Sequence, residues 1–276
     1  MKYCRPLLLW FLLAPAVFSA SGATLPSNSR LDLGFRELYN LQFSDAHKSF
    51  QQWEQTHADD PMGPTSDAAA YLFSEFDRLG ILQSVLFVND KKFENRRVKH
   101  PDPAVKQAFE SDLHKSDRLA SAALAKSPQD VNALFAQVMN LGLRADYLAL
   151  IEKRDFAAVS VMKRSGLLAD KLLKMDPTCY DAYLAGGVEN YILGLKPAPV
   201  RWLLRIYGAQ ADKNLGIQNL RLTAEKGHYL LPYARLLLAV AALRDHNRGQ
   251  ARQLFQGLAQ QFPGNGLYRE ELAKLR

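Results

Sequence analysis

The chain has 276 residues, 48% hydrophobic, 23% charged and 10% aromatic, with 16 Gly and 13 Pro. That balance excludes whole-chain disorder, collagen-like structure and low-complexity tethering. The formal net charge of +7 is modest and spread along the chain, and only one long apolar run occurs. Neither a dedicated nucleic-acid binder nor a polytopic membrane protein is therefore expected.

That apolar run comes first. Lys2 and Arg5 precede a greasy stretch over residues 7–18, followed by Ser19-Ala20-Ser21-Gly22-Ala23. A positive flank, a short apolar centre and a small-residue exit predict a secretory signal peptide over residues 1–23, with Ser21 and Ala23 at the −3 and −1 positions. The competing reading is a retained anchor, but the stretch has 12 residues where a bilayer crossing needs about 20. Cys4 lies before the apolar core, which argues against a lipoprotein. Cleavage removes Lys2, Arg5 and Cys4, lowers the net charge to +5 and leaves Cys179 alone, so no internal disulfide is expected. The mature chain, residues 24–276, is expected to be a soluble periplasmic or secreted protein with no stable membrane insertion after cleavage.

Strand signals are nearly absent, and apolar residues recur at three- and four-residue spacing. Leu31, Gly34, Phe35, Leu38 and Leu41 make one helical face, and Phe43, Ala46, Phe50 and Trp53 make the next, with Ser44 as its expected N-cap. Asp59-Asp60-Pro61 is expected to close that second helix. Further helices are predicted over residues 66–88, 103–125, 130–150, 156–174, 180–195 and 211–226, then 233–244, 248–262 and a terminal 267–275. Residues 201–207 form a short segment after Lys196-Pro197-Ala198-Pro199. The closing prolines Pro61, Pro128, Pro177 and Pro263 are 67, 49 and 86 residues apart. The first interval is close to two units of about 34, the others are not multiples of it. The prediction is an all-α right-handed solenoid of about five antiparallel helix pairs with a C-terminal capping helix.

Two of these pairs carry a family likeness. Ala251 is followed by Phe255 and then Pro263, and Leu33-Gly34 is followed by Ala46 and Phe50. These residues resemble the second-helix Ala-x3-Phe, closing proline and Leu-Gly positions of the tetratricopeptide repeat (TPR) family. The match is degenerate: Arg30 stands where the family has its leading Trp, Tyr39 falls two positions late, and Ala239 and Ala242 replace the usual Gly and Tyr. Small residues at the crossing let two helices approach, an aromatic fills the gap beside them, and proline stops the second helix. The resemblance implies a scaffold that binds a protein or peptide in a concave groove lined by first helices.

The stretch Tyr183-Leu184-Ala185-Gly186-Gly187-Val188-Glu189-Asn190-Tyr191 is the most unusual. Two interior glycines cost about 1–2 kcal/mol relative to alanine unless another helix or a ligand packs there. One reading puts Tyr183, Glu189 and Asn190 on a groove wall facing a partner. The other is a tight helix crossing with Glu189 paired to Arg201 or Arg205, since buried charges need partners. Trp202, between those arginines, is a candidate groove anchor. Lys91, Lys92, Arg96, Arg97 and Lys99 form a basic run that could be a patch for acidic lipid, polysaccharide or nucleic acid but reads more simply as a solvated loop.

The six histidines show no His-Glu-x-x-His spacing, and no phosphate-binding loop or Gly-x-Ser-x-Gly elbow is present. No metal, cofactor or catalytic residue is predicted. The expected function is a non-enzymatic, exported scaffold for a protein or peptide, with no nucleic-acid partner. The alternatives are a helical binder of a small molecule or lipid, and an all-α glycan hydrolase, which would require two carboxylates facing one cleft.

Overall fold

The computed structural model describes residues 29–83, 100–195 and 211–275. The expected leader, the basic run at 91–99, the short segment 201–207 and, within it, the candidate residues Arg201, Trp202 and Arg205 lie outside the described residues.

Among the described residues there are eleven α-helices and no strand: α1 (Arg30–Tyr39), α2 (Phe43–Thr56), α3 (Met62–Arg78), α4 (Pro103–Lys126), α5 (Val131–Asp146), α6 (Asp155–Met175), α7 (Tyr183–Gly194), α8 (Lys213–Lys226), α9 (Leu231–Arg244), α10 (Arg248–Gln261) and α11 (Gly266–Lys274). A π-turn, Tyr147–Ile151, continues α5, and a 3₁₀ turn, Tyr180–Ala182, precedes α7. Each helix packs on the next in sequence, and α3 also touches α1 and α5.

Helix starts follow from short polar side chains that satisfy otherwise unpaired N–H groups. Ser29 and Asp32 form a capping box on α1. Asp102, Asp130, Asp212, Asn247 and Asn265 accept backbone N–H bonds at the starts of α4, α5, α8, α10 and α11. Ser44 is not an N-cap. Leu41 adopts a left-handed conformation (φ 61°) and the Gln42 N–H bonds to the Glu37 carbonyl at 2.9 Å, so the chain re-enters helix at Phe43 with Gln42 at the cap. Pro61 does not close α2, which already ends at Thr56; it leads into α3 instead. The expected 66–88 helix stops at Arg78. Gly80 takes φ 67° and the Ile81 N–H reaches back to the Phe76 carbonyl at 2.7 Å, a glycine-terminated helix end hidden in the sequence by the apolar residues that follow.

The first and last pairs turn alike. His246 (φ 57°) takes the place of Leu41, and the Asn247 N–H bonds to the Ala242 carbonyl at 2.8 Å. Counted from those two residues, Gly34 and Ala239 lie seven back, Ala46 and Ala251 five on, and Phe50 and Phe255 nine on. Both alanines after the turn and both phenylalanines are fully buried. Gly34 is where the Phe50 ring lies: a Cβ there would stand 2.3 Å from the ring. Between α3, α4 and α5 the core includes a polar network of Thr65, Ser116 and Asn140, bonded at 2.7–3.0 Å and continued by Asn140 to Asp117. By tying together side chains of three helices, such a network fixes their register.

The two ends of the chain meet. The Tyr39 hydroxyl donates to the Tyr229 carbonyl (2.8 Å), His228 Nε2 lies 2.6 Å from Asp32, and Asn265 donates to the Tyr39 carbonyl (3.0 Å). Phe35 stacks on Tyr229 with ring centroids 4.6 Å apart, and Tyr39 packs on Phe262. Helix α1 is thus held against the α8–α9 turn and the α10–α11 turn.

Candidate functional site

Helices α1, α3, α5, α7 and α9 surround a partly enclosed cavity of about 100 Å3, to which α6 adds Met162 and Ser165. For scale, an engineered apolar cavity of about 150 Å3 holds benzene, so a ligand as large as toluene would extend through the open side of this one. Phe35 and Leu38 of α1, Phe73 of α3, Met139 and Leu143 of α5, and Leu184 and Val188 of α7 make most of its wall. On α5 the residues Met139, Gly142, Leu143 and Asp146 follow at helical spacing and so share the face turned to the cavity. A Cβ added at Gly142 would meet nothing within 4 Å, so this glycine leaves space in the wall instead of admitting a neighbour.

Asp146 is the unusual member. It is half-buried and borders the cavity. Burial pushes its carboxyl up to about 7, opposed only by a long hydrogen bond from the Tyr233 hydroxyl (3.3 Å). Burial likewise raises the Tyr233 phenol far above its usual range, with Asp146 adding to the effect. Because the folded state keeps on Asp146 a proton that the unfolded chain releases near 3.8, this residue favours folding at low pH and loses that contribution as pH rises through 7. Asp146→Asn should therefore flatten the stability profile: wild type should lose on the order of 2 kcal/mol more than the variant between pH 5 and pH 8. Urea denaturation of both proteins at the two pH values measures this, and parallel profiles would refute it.

The second carboxyl on the wall is already engaged. Asp181, in the 3₁₀ turn before α7, accepts the N–H groups of His228, Tyr229 and Leu230 at 2.9, 3.0 and 3.1 Å. It is buried, and burial holds its carboxyl above the usual range despite those bonds. The residue orders the α8–α9 turn against which α1 packs.

The residues singled out in the sequence lie beside the cavity and not on an open wall. Glu189 and Asn190 are 3% and 1% exposed. Glu189 Oε2 packs over Gly166 of α6, only 2.2 Å from where a Cβ would be. The Asn190 amide donates to the Gly186 carbonyl, and its oxygen accepts the Asp212 N–H at 3.3 Å. Tyr183 is half-buried, stacks on Tyr180 and donates to the Pro177 carbonyl. Glu189 thus lies where α7 packs on α6, Asn190 where α7 meets the start of α8, and Tyr183 over the turn that precedes α7. Sequence reasoning missed Asp146, although a carboxylate at the fourth position of the apolar series Met139, Gly142, Leu143 is a legible sign.

A second titratable group lies in α2, α3 and α4, away from the cavity. His47 contacts Asp67, Lys115 contacts Glu54, and Gln51 donates to Asp67. Burial, reinforced by Asp67 and Glu54, pushes the nearby Asp112 up to about 7. Cys179 is half-buried, and burial raises its thiol to about 11, which leaves little thiolate at neutral pH. Among the described residues no cluster of His, Cys, Asp and Glu is arranged to hold a metal ion, and no helix is long and apolar enough to cross a membrane. Comparison with protein families, with curated proteins and with solved structures found no match.

Proposed function

We propose that this protein is an exported, TPR-like helical binding protein that holds a small, largely apolar molecule between its inner helices. In this reading the five helix pairs form a right-handed array that closes on itself, with residues 1–23 as the cleaved leader. The shared turn geometry and the matching Gly/Ala, Ala and Phe positions of the first and last pairs support the repeat reading.

The cavity is the observation that carries the proposal. Its wall is largely apolar and comes mainly from α1, α3, α5, α7 and α9. A well-packed interior has few voids larger than a water molecule, so a space of this size at the junction of five helices calls for an occupant. The contacts of α1 with residues 228–230 and 264–265 argue against an open concave groove for a peptide or protein partner. No catalytic step is assigned to the site.

Toluene is a suitable first probe. A saturating amount should raise the Tm of the purified protein by about 4 °C, the shift expected for a ligand present well above its Kd. Gly142→Leu places a side chain in the space beside Gly142 and should abolish that shift while retaining a cooperative transition. An equal shift in the two proteins, or none in wild type, would defeat the proposal.

A further inference from the structure

The hydrogen-bonding groups on the cavity wall are nearly all committed, and their balance is one-sided. The Tyr39 hydroxyl donates to the Tyr229 carbonyl at 2.8 Å and Ser165 donates to the Val138 carbonyl at 2.9 Å. The Tyr233 hydroxyl donates to Asp146 Oδ2, and the Asp181 carboxyl accepts three backbone N–H groups. What remains is acceptor capacity: Asp146 Oδ1 receives no hydrogen bond among the described residues, and the hydroxyl oxygens of Tyr233 and Ser165 retain lone pairs. The wall carries two carboxyls and no Lys, Arg or His. Although the chain as a whole is basic, the cavity is acidic.

We infer that the cavity selects a hydrophobic primary amine, its apolar body among Phe35, Phe73, Met139 and Leu184 and its ammonium on Asp146. This rests on the cavity-binding reading above. An ammonium is a donor of three hydrogen bonds with no acceptor, the complement of a wall that offers acceptors only. With Asp146 ionised, an alcohol brings one donor and an oxygen that finds no free N–H or O–H to receive. A carboxylate ligand meets two acidic side chains and no counter-charge.

Three ligands with one six-carbon chain separate these cases: hexylamine, 1-hexanol and hexanoate, with toluene as a head-group-free control, measured by calorimetry at pH 8. Hexylamine should bind about tenfold more tightly than 1-hexanol, the worth of one charge-assisted hydrogen bond, and hexanoate should not bind. Asp146→Asn should erase the preference for the amine. A second measurement needs no variant. In wild type, hexylamine affinity should fall as pH drops below 7 and Asp146 takes up a proton, while 1-hexanol affinity stays flat. The other titratable groups facing Asp146 across the cavity are Asp181, Tyr39 and Tyr233; burial keeps both tyrosines neutral through this range. If toluene binds but hexylamine is no tighter than 1-hexanol, the amine assignment is wrong and the cavity reading stands. If none of the four binds, the cavity reading itself falls.

Discussion

Gly216→Ala should destabilise the protein by about 3 kcal/mol or more, the upper range for overpacking a well-filled contact. Gly216 lies on α8, where that helix crosses α7. A Cβ there would stand 2.4 Å from the Tyr191 backbone nitrogen, 2.8 Å from its Cα and 2.9 Å from the Gly187 carbonyl oxygen. These are backbone atoms of a helix, so no side-chain rotation relieves the clash and the two helices must separate. Alanine gains about 1 kcal/mol of helix propensity over glycine, which does not offset that. A Cβ at Gly194 would likewise stand 2.4 Å from the Lys213 backbone nitrogen, so the crossing is tight at more than one point. Gly257→Ala on α10 is the control, because its Cβ would meet nothing within 4 Å and the substitution should stabilise by about 0.5–1 kcal/mol. Denaturation midpoints of the two variants test the pair; a neutral Gly216→Ala would mean that the crossing is looser than described.

Asp181→Ala should cost about 2–4 kcal/mol, because it strands three backbone donors at once. The N–H groups of His228, Tyr229 and Leu230 converge on this one carboxylate, and those residues form the turn that receives α1. Asp181→Asn should fall between. One amide oxygen can keep the two bonds that Oδ1 now accepts, but the NH2 group then faces the Tyr229 N–H, donor against donor. Loss of this anchor should also be local before it is global. Hydrogen exchange at residues 228–230 and along α1 should quicken in Asp181→Asn while α4 and α5 keep their protection. Uniform acceleration through the chain would show that the turn is not a separate unit.

What was legible in the sequence was local. Helical spacing gave the all-α class, and the helix starts expected at residues 103, 130 and 248 lie within one residue of those observed. Gly186-Gly187 announced the α7–α8 crossing, since two glycines inside a helix need a close neighbour to justify them. The Leu41 and Gly80 turns were misplaced because left-handed backbone at a leucine has no compositional sign, and because apolar residues ran on past Gly80. The meeting of α1 with the far end of the chain was not legible at all. It joins residues 196 and 226 positions apart, through a histidine, a tyrosine and an asparagine that each look ordinary in their own neighbourhood. Asp146 left one sign, its helical spacing behind Met139, Gly142 and Leu143, but that sign does not by itself bury it. A lone acid near a helix end reads as surface until the helices that enclose it are known.

The joining of the two ends also fixes an order of events during synthesis. Helix α1 is the first to leave the ribosome, yet the carbonyl of Tyr39 meets Asn265 only 226 residues later. At about 5–20 residues per second that interval is roughly 10–45 s. Throughout it Phe35 and Tyr39 lack Tyr229 and Phe262, the rings that cover them in the finished protein. The contacts that complete the α1 surface therefore form only when translation is almost finished.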